Sequence, residues 1–73
     1  MNKIMEVREL GQTVKVTRKS QGLTQEQLAS VSGTGRRFII ELEAGKESCH
    51  LGKTLKVLSM LGIEVYVERK EGL

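Results

Sequence analysis

The sequence contains no proline and no aspartate, and it has one cysteine, one histidine and two aromatic residues in 73. Without proline, and with glutamate as the only acidic residue, the composition favours helices. A single cysteine excludes an internal disulfide and is typical of a reducing cytosol. No apolar run approaches the ~20 residues of a membrane span, and the first residues lack the apolar segment of a signal peptide. We therefore expect a soluble, cytoplasmic, mainly helical protein.

The same scarcities argue against catalysis and metal binding. One cysteine and one histidine, Cys49 and His50, cannot supply the four ligands of a structural zinc site within one chain. They are interpreted as ordinary loop residues, and no metal or cofactor is expected. Without aspartate no Ser-His-Asp triad is possible, and the glutamates fall on predicted solvent faces or in the tail. The sequence therefore predicts that the protein is not an enzyme.

The charge and the length limit the remaining possibilities. Twelve lysines and arginines against nine acidic residues give a net charge of +3, which is compatible with nucleic-acid binding without being diagnostic of it. The chain is long enough for one domain, residues 1–73. A domain of this size buries only about 60% of the surface that its unfolded chain exposes, so association with a second copy would stabilise it.

Four helical segments follow from the periodicity of the apolar residues and from four glycines that can end helices. Thr24 and Gln27 predict a capping box at the start of the second segment, and Thr34 or Gly35 is expected to cap the third. The apolar face of the fourth is assigned to residues 51, 55, 58 and 61. The predicted helices span about 7–21, 24–32, 35–44 and 51–61.

The second and third segments have the spacing of a helix-turn-helix, in which one helix braces another that enters the DNA major groove. Arg36 and Arg37 fall at the start of the second helix of the pair, where base edges would lie. Cations are unfavourable at a helix N-terminus, which favours a base-reading role over a merely solvated patch. An arginine can bond bidentately to guanine.

Two further residues of the third segment have alternative roles. Glu41 could accept a hydrogen bond from cytosine or pair with Arg37 four residues earlier. Phe38 could contact a thymine methyl group or pack in the core. Both alternatives stay open at the level of the sequence.

Four polar residues are candidate ligands of the DNA backbone. Gln25, beside a helix N-terminus, suits a phosphate oxygen, and Thr34 at the next predicted helix start is included with it. Lys46 and Lys53 lie in or just after the loop that follows the third segment, where they either contact phosphates or are simply solvated.

The tail changes from helical to strand periodicity. Ile63, Val65 and Val67 alternate with polar or amphipathic residues, and a lone strand needs a partner for its backbone. Residues 3–7 are too short to be a convincing partner. The same strand of a second subunit, paired antiparallel about a two-fold axis, is the preferred interpretation. The alternative is that these residues complete the core of their own chain.

The run Leu23-Thr24-Gln25-Glu26-Gln27-Leu28-Ala29, then Gly33, then Glu41-Leu42-Glu43-Ala44-Gly45-Lys46 resembles the Cro/repressor-type (XRE) helix-turn-helix regulators. The junction at residues 61–63 is more narrowly similar to that of the HipB-type antitoxins. The resemblance implies a mainly α, lambda-repressor-like domain of four to five helices, with a C-terminal strand in an intermolecular two-stranded sheet. It also implies a homodimeric repressor that binds an inverted-repeat DNA operator, regulates its own operon and binds a HipA-type kinase toxin.

The resemblance also implies roles for single positions. Gln25 matches a phosphate anchor, Arg36 and Arg37 match base-reading positions, and Glu41 also faces the groove. Arg18 and Glu43 match a structural ion pair. Gly35 departs from the family, which usually has serine or threonine there, so the resemblance does not imply the phosphate contact that such a side chain would make. The alternatives are a phage-like or housekeeping repressor without a toxin, and a protein-interaction module that retained the fold.

Overall fold

The computed structural model describes residues 3–72, so Met1, Asn2 and Leu73 of the predicted domain lie outside the described residues. Within that range the chain forms four α-helices, and each predicted segment is confirmed to within one residue at either end. No helix of this range is long and apolar enough to cross a membrane. The helices are α1 Val7–Ser20, α2 Gln25–Ser32, α3 Arg36–Glu43 and α4 Leu51–Met60.

All four helices end in the same way. At the end of α4, the Gly62 N–H donates to the Ser59 carbonyl at 3.0 Å and the Ile63 N–H donates to the Leu58 carbonyl at 2.9 Å. This pair of bonds satisfies carbonyls of the last turn and needs a residue with positive φ, which glycine adopts without a steric penalty. The predicted helix stops are therefore confirmed, with φ between 68° and 83° at Gly22, Gly33, Gly45 and Gly62.

The starts of α2 and α3 are capped differently. Thr24 Oγ1 accepts from the Gln27 N–H at 3.0 Å, and Gln27 Oε1 accepts from the Thr24 N–H at 2.9 Å, which confirms the predicted capping box. Of the two candidate caps for α3, Gly35 occupies the position. Because glycine has no side chain, it cannot accept a hydrogen bond from the first turn as Thr24 does.

The core draws side chains from all four helices. α3 packs against α1 and α2, and α2 packs against α4. Ala29, the small residue of the matched run, is also buried on α2. Fully buried side chains at the centre are Val14, Leu28, Ile39, Leu42 and Val57.

The apolar face predicted for α4 is wrong in its first half. Leu51 is 70% exposed and Leu55 is 45% exposed, whereas Thr54 and Val57 are buried. The inward positions are 54, 57, 58 and 61, which share one helical face at spacings of three and four residues. Thr54 tolerates burial because its hydroxyl donates to the His50 carbonyl at 2.9 Å.

The tail leaves α4 without regular secondary structure. Ile63 packs against the core, whereas Val65 is 54% exposed and Val67 is 94% exposed. No strand forms within residues 3–72 of this single chain, as expected for a segment that has no neighbouring strand to bond. Ile63 therefore packs in the core of its own chain, which was the alternative interpretation. The intermolecular sheet stays a prediction.

Candidate nucleic-acid interface

The helix α3 presents a charged face to solvent. Ile39 and Leu42 point into the core and are fully buried. Since successive residues are about 100° apart around a helix, Arg37 projects from the opposite side, and its side chain is 91% exposed. Arg36 and Ile40 are also exposed. Both predicted base-reading arginines therefore extend into solvent from the first turn of α3.

Glu41 lies between two cations on this face. Its Oε2 atom is 3.2 Å from Lys46 Nζ and 3.5 Å from Arg37 Nε. The hydrogen bond from Lys46, followed by the positive charges of Lys46 and Arg37, lowers the pKa of Glu41. Its contribution to stability is therefore present above the ordinary pKa of glutamate and is lost as the pH falls through the lowered value. In the unbound chain Glu41 thus pairs with Arg37. A contact of Glu41 with cytosine stays a prediction.

Two predicted phosphate ligands, Gln25 and Thr34, each use one of their own hydrogen-bond donors in a bond to another side chain of the protein. Gln25 Nε2 donates to Glu43 Oε1 at 3.1 Å, which leaves the second proton of the amide for an external acceptor. Thr34 Oγ1 lies 2.9 Å from Ser32 Oγ, and Ser32 Oγ donates to the Leu28 carbonyl at 2.7 Å. Thr34 must then donate its only hydroxyl proton to Ser32. A phosphate contact from either residue remains a prediction.

Phe38 joins the start of α4 to α3. Its ring is half-buried against the core, which favours the packing alternative over a contact with DNA. Lys53 Nζ lies 5.9 Å from the centroid of this ring, a distance at which a cation is attracted by the aromatic face. Lys53 thus reaches from α4 toward α3, while Lys46 is held by Glu41.

Cys49 and His50 immediately precede α4. His50 Nδ1 accepts from the Lys53 backbone N–H at 3.2 Å and thereby caps the helix. Cys49 is a free, half-buried cysteine, and burial raises the pKa of its thiol. Across residues 3–72, no three histidine, cysteine or acidic side chains are grouped so that they could hold a metal ion.

A buried ion pair fixes the far end of α3. Arg18 Nε lies 2.6 Å from Glu43 Oε2, and Arg18 Nη2 donates to Glu43 Oε1 at 3.0 Å. The guanidinium also donates to the Leu23 carbonyl at 2.8 Å. The two side chains are only 8% and 4% exposed, and the hydrogen bond to Glu43 raises the pKa of Arg18. With the bond from Gln25, this cluster ties α1, α2 and the intervening loop to the last residue of α3.

Gly11 is a structural residue that the sequence reasoning missed. It is buried on α1, and a Cβ atom built there would lie 2.3 Å from the Leu42 carbonyl oxygen and 3.0 Å from that of Glu43. The absence of a side chain therefore lets α1 approach the end of α3. A signal was present, because glycine inside a helix is unfavourable unless packing requires it.

Ile40 is the second residue that was missed. It is a large apolar side chain, 40% exposed, on the charged face of α3. The signal was the spacing, because Ile39 and Leu42 lie about 60° apart around the helix, whereas Ile40 lies about 100° from Ile39 and about 160° from Leu42. Since Ile39 and Leu42 share the inward face, Ile40 had to point toward solvent.

Comparison with known proteins identifies a family model and a relative that match this chain. A family model described as Helix-turn-helix matches residues 14–65. An uncharacterized HTH-type transcriptional regulator, y4mF of Sinorhizobium fredii (strain NBRC 101917 / NGR234), is 47% identical over 57 residues. That alignment covers 78% of this chain and 75% of the relative.

Solved structures share the fold over nearly the whole chain. A chain in the structure of the HipA-HipB-O2-O3 complex has a TM-score of 0.85 and 24% sequence identity, covering 97% of this chain and 100% of that one. A chain in the HipB-O4 20mer complex gives the same four values. At this level of identity the similarity shows the fold, and it includes the tail beyond α4.

Proposed function

Because this chain belongs to the helix-turn-helix (XRE-type) family of DNA-binding transcriptional regulators, we propose that it is a dimeric repressor that serves as a HipB-like antitoxin. In this proposal α3 enters the major groove of an operator, and a HipA-type kinase toxin is the second partner. The observation that carries the DNA-binding part is the pair of exposed arginines at the tip of α3. The inward anchoring of α3 through Glu43 supports it by fixing how these arginines are presented.

Reading of the operator follows from the chemistry of the first turn of α3. Arg36 and Arg37 each present a planar guanidinium that can bond to O6 and N7 of guanine. Gln25, Lys46 and Lys53 lie on neighbouring segments and would contact phosphates, which set the position of the protein without specifying sequence. In a two-fold dimer the two α3 helices would be about 34 Å apart, so the operator should be an inverted repeat.

We expect Arg36→Ala and Arg37→Ala each to weaken binding of the operator about 5- to 150-fold, the range that corresponds to ~1–3 kcal/mol for a bidentate arginine–guanine contact. The operator would first be selected from a random duplex library, and affinity would then be measured by fluorescence anisotropy over a range of salt concentrations. Arg37→Lys should recover little of the loss because it lacks the fork geometry.

Lys70→Ala is the matched control for these variants, since it removes one positive charge from the exposed tail. It should reduce affinity far less than either arginine substitution. Equal losses of affinity in all three variants would show that the arginines contribute only through their positive charge. If the arginine variants bind the operator as tightly as the wild type, α3 does not read it, and the alternative of a protein-interaction module is then favoured.

Dimerisation is proposed through the tail. Val65, Tyr66 and Val67 are exposed large side chains on a segment that has no strand partner within the described chain. Pairing of two tails about a two-fold axis would satisfy both backbones and cover the valines. The tails also border an open groove lined by Leu55, Ser59 and Ile63, so pairing would shield part of the exposed face of α4.

The double variant Val65→Glu/Val67→Glu is expected to sediment with the mass of one chain, whereas the wild type has twice that mass. Four carboxylates brought together in the paired tails would repel one another and leave apolar contacts unmade. The matched control is Val16→Glu, which alters a 56% exposed valine on α1 and should stay dimeric. A dimeric double variant would refute tail pairing.

The antitoxin part of the proposal draws on the similarity to a chain in the HipA-HipB-O2-O3 complex, which extends through the tail. The identity of the neighbouring gene would test the antitoxin part of the proposal most directly. A downstream gene encoding a kinase-like protein that co-purifies with this chain would support the proposal. If no such gene exists, a phage-like or housekeeping repressor is the better description.

A further inference from the structure

We infer that Ile40 recognises the methyl group of a thymine in the operator, and that it determines specificity together with the arginines. The inference rests on the proposed DNA-binding function of α3. Ile40 lies four residues after Arg36 and three after Arg37, so it shares their side of the helix one turn further on. It is 40% exposed, while its neighbour Ile39 is fully buried.

The chemistry of the major groove restricts what an isoleucine can recognise there. The base edges present hydrogen-bond donors and acceptors, and the only apolar group among them is the C5-methyl of thymine. Isoleucine has no polar side-chain atom. In the major groove its favourable partner is therefore this methyl group, which distinguishes thymine from the other bases.

Phe38, the other apolar residue of α3 that could contact a thymine methyl group, already has partners within the chain. Phe38 is half-buried against the core, and the ammonium group of Lys53 lies over its ring. Ile40 is thus the large apolar side chain that α3 leaves free on the face carrying the arginines. Within the proposed interface it would be desolvated only when DNA is bound.

The spacing also predicts where the thymine lies. Three to four residues along a helix correspond to about 4.5–6 Å at 1.5 Å per residue, and consecutive base pairs are about 3.4 Å apart. A thymine read by Ile40 should therefore lie within about two base pairs of a guanine read by an arginine. This juxtaposition should be visible in the operator selected by the wild-type protein.

The test replaces each thymine of the selected operator in turn by uracil, which removes only the methyl group. We expect wild-type binding to fall about fourfold per half-site at one thymine position, the effect of losing burial of roughly one methyl group. Ile40→Ala should bind the thymine operator more weakly and should bind the thymine and uracil forms of that position equally.

Val16→Ala is the control, because it truncates an exposed valine on α1. It should keep the full sensitivity to uracil. Thermal unfolding of each variant establishes that it is folded. The inference is overturned if the wild type binds every uracil duplex as tightly as the thymine duplex, or if Ile40→Ala stays as sensitive as the wild type. Failure to select any operator would instead overturn the proposed function.

Discussion

Replacement of Gly11 by alanine is expected to destabilise the protein by about 3 kcal/mol, although alanine is the better helix former. The added Cβ would lie 2.3 Å from the Leu42 carbonyl oxygen, and backbone atoms cannot move aside as a flexible side chain can. The helix α1 must then separate from the end of α3. This cost exceeds the ~1 kcal/mol that alanine gains over glycine in a helix.

Thermal unfolding followed by circular dichroism measures the effect. A loss of 3 kcal/mol in a domain of this size corresponds to a melting temperature roughly 12–24 °C lower. Because a dimer unfolds at a temperature that depends on concentration, all variants must be compared at one protein concentration. A chain of 73 residues is stable by about 4–11 kcal/mol, so the variant would lose a large part of its stability.

Gly52→Ala provides the matched control. Gly52 is also inside a helix, but its added Cβ would meet side-chain atoms and not backbone, His50 Cε1 at 3.0 Å and His50 Nδ1 at 3.4 Å. We expect this substitution to change stability by less than ~1 kcal/mol, because the gain of alanine over glycine in a helix is offset by a small shift of the exposed imidazole that caps α4. If Gly11→Ala behaved like Gly52→Ala, the close approach of α1 to α3 would not be a requirement of the fold.

Arg18→Met is expected to cost about 3–5 kcal/mol, because it leaves the carboxylate of Glu43 buried without its charged partner. The Leu23 carbonyl would also lose the donor that bonds it at 2.8 Å. Gln25 would still donate to Glu43, but a neutral amide cannot compensate a full charge. The free energy of unfolding in urea is the measurement that tests this prediction.

The double variant Arg18→Met/Glu43→Leu should recover most of this loss, since an apolar pair of similar volume avoids the cost of burying an unpaired charge. Lys46→Met is the control for an exposed pair. It breaks the bond to Glu41 and should cost far less than Arg18→Met, because an exposed ion pair is screened by solvent. If Arg18→Met cost no more than Lys46→Met, the buried pair would contribute little to holding α3.

The two predictions concern the same contact, because Gly11 and Arg18 both place α1 against the end of α3. Gly11 allows the backbones to approach, and Arg18 bonds the last residue of α3. The start of α3, with Arg36 and Arg37, is free of such contacts and exposed. The recognition helix is therefore anchored at one end and accessible at the other, as a helix entering a groove requires.

Helix boundaries could be predicted from the sequence because their causes are local. A capping box needs Thr24 and Gln27 three residues apart, and a helix stop needs a glycine such as Gly62 that tolerates positive φ. Neither depends on distant parts of the chain. The exposure of Arg36 and Arg37 also followed from local periodicity, because Ile39 and Leu42 define the inward face of α3.

Residues whose role depends on a distant partner were predicted less well. Leu51 and Leu55 fit an apolar helical face, yet the surface of α2 that meets α4 selects Thr54 and Val57 instead. Gln25 suits a phosphate by its position, but Glu43, 18 residues away, accepts one of its protons. Periodicity gives the spacing of a face and does not give its rotation about the helix axis.

By itself the sequence determined four helices, their ends, and a charged face on the third, because hydrogen bonds and helical periodicity act within a few residues. Only the tertiary structure decided that Gly11 is a point of close approach, that Gln25 bonds Glu43, and that Ile40 rather than Phe38 is free on the charged face. Each of these depends on which surfaces meet when the helices pack, and packing joins residues that are far apart along the chain.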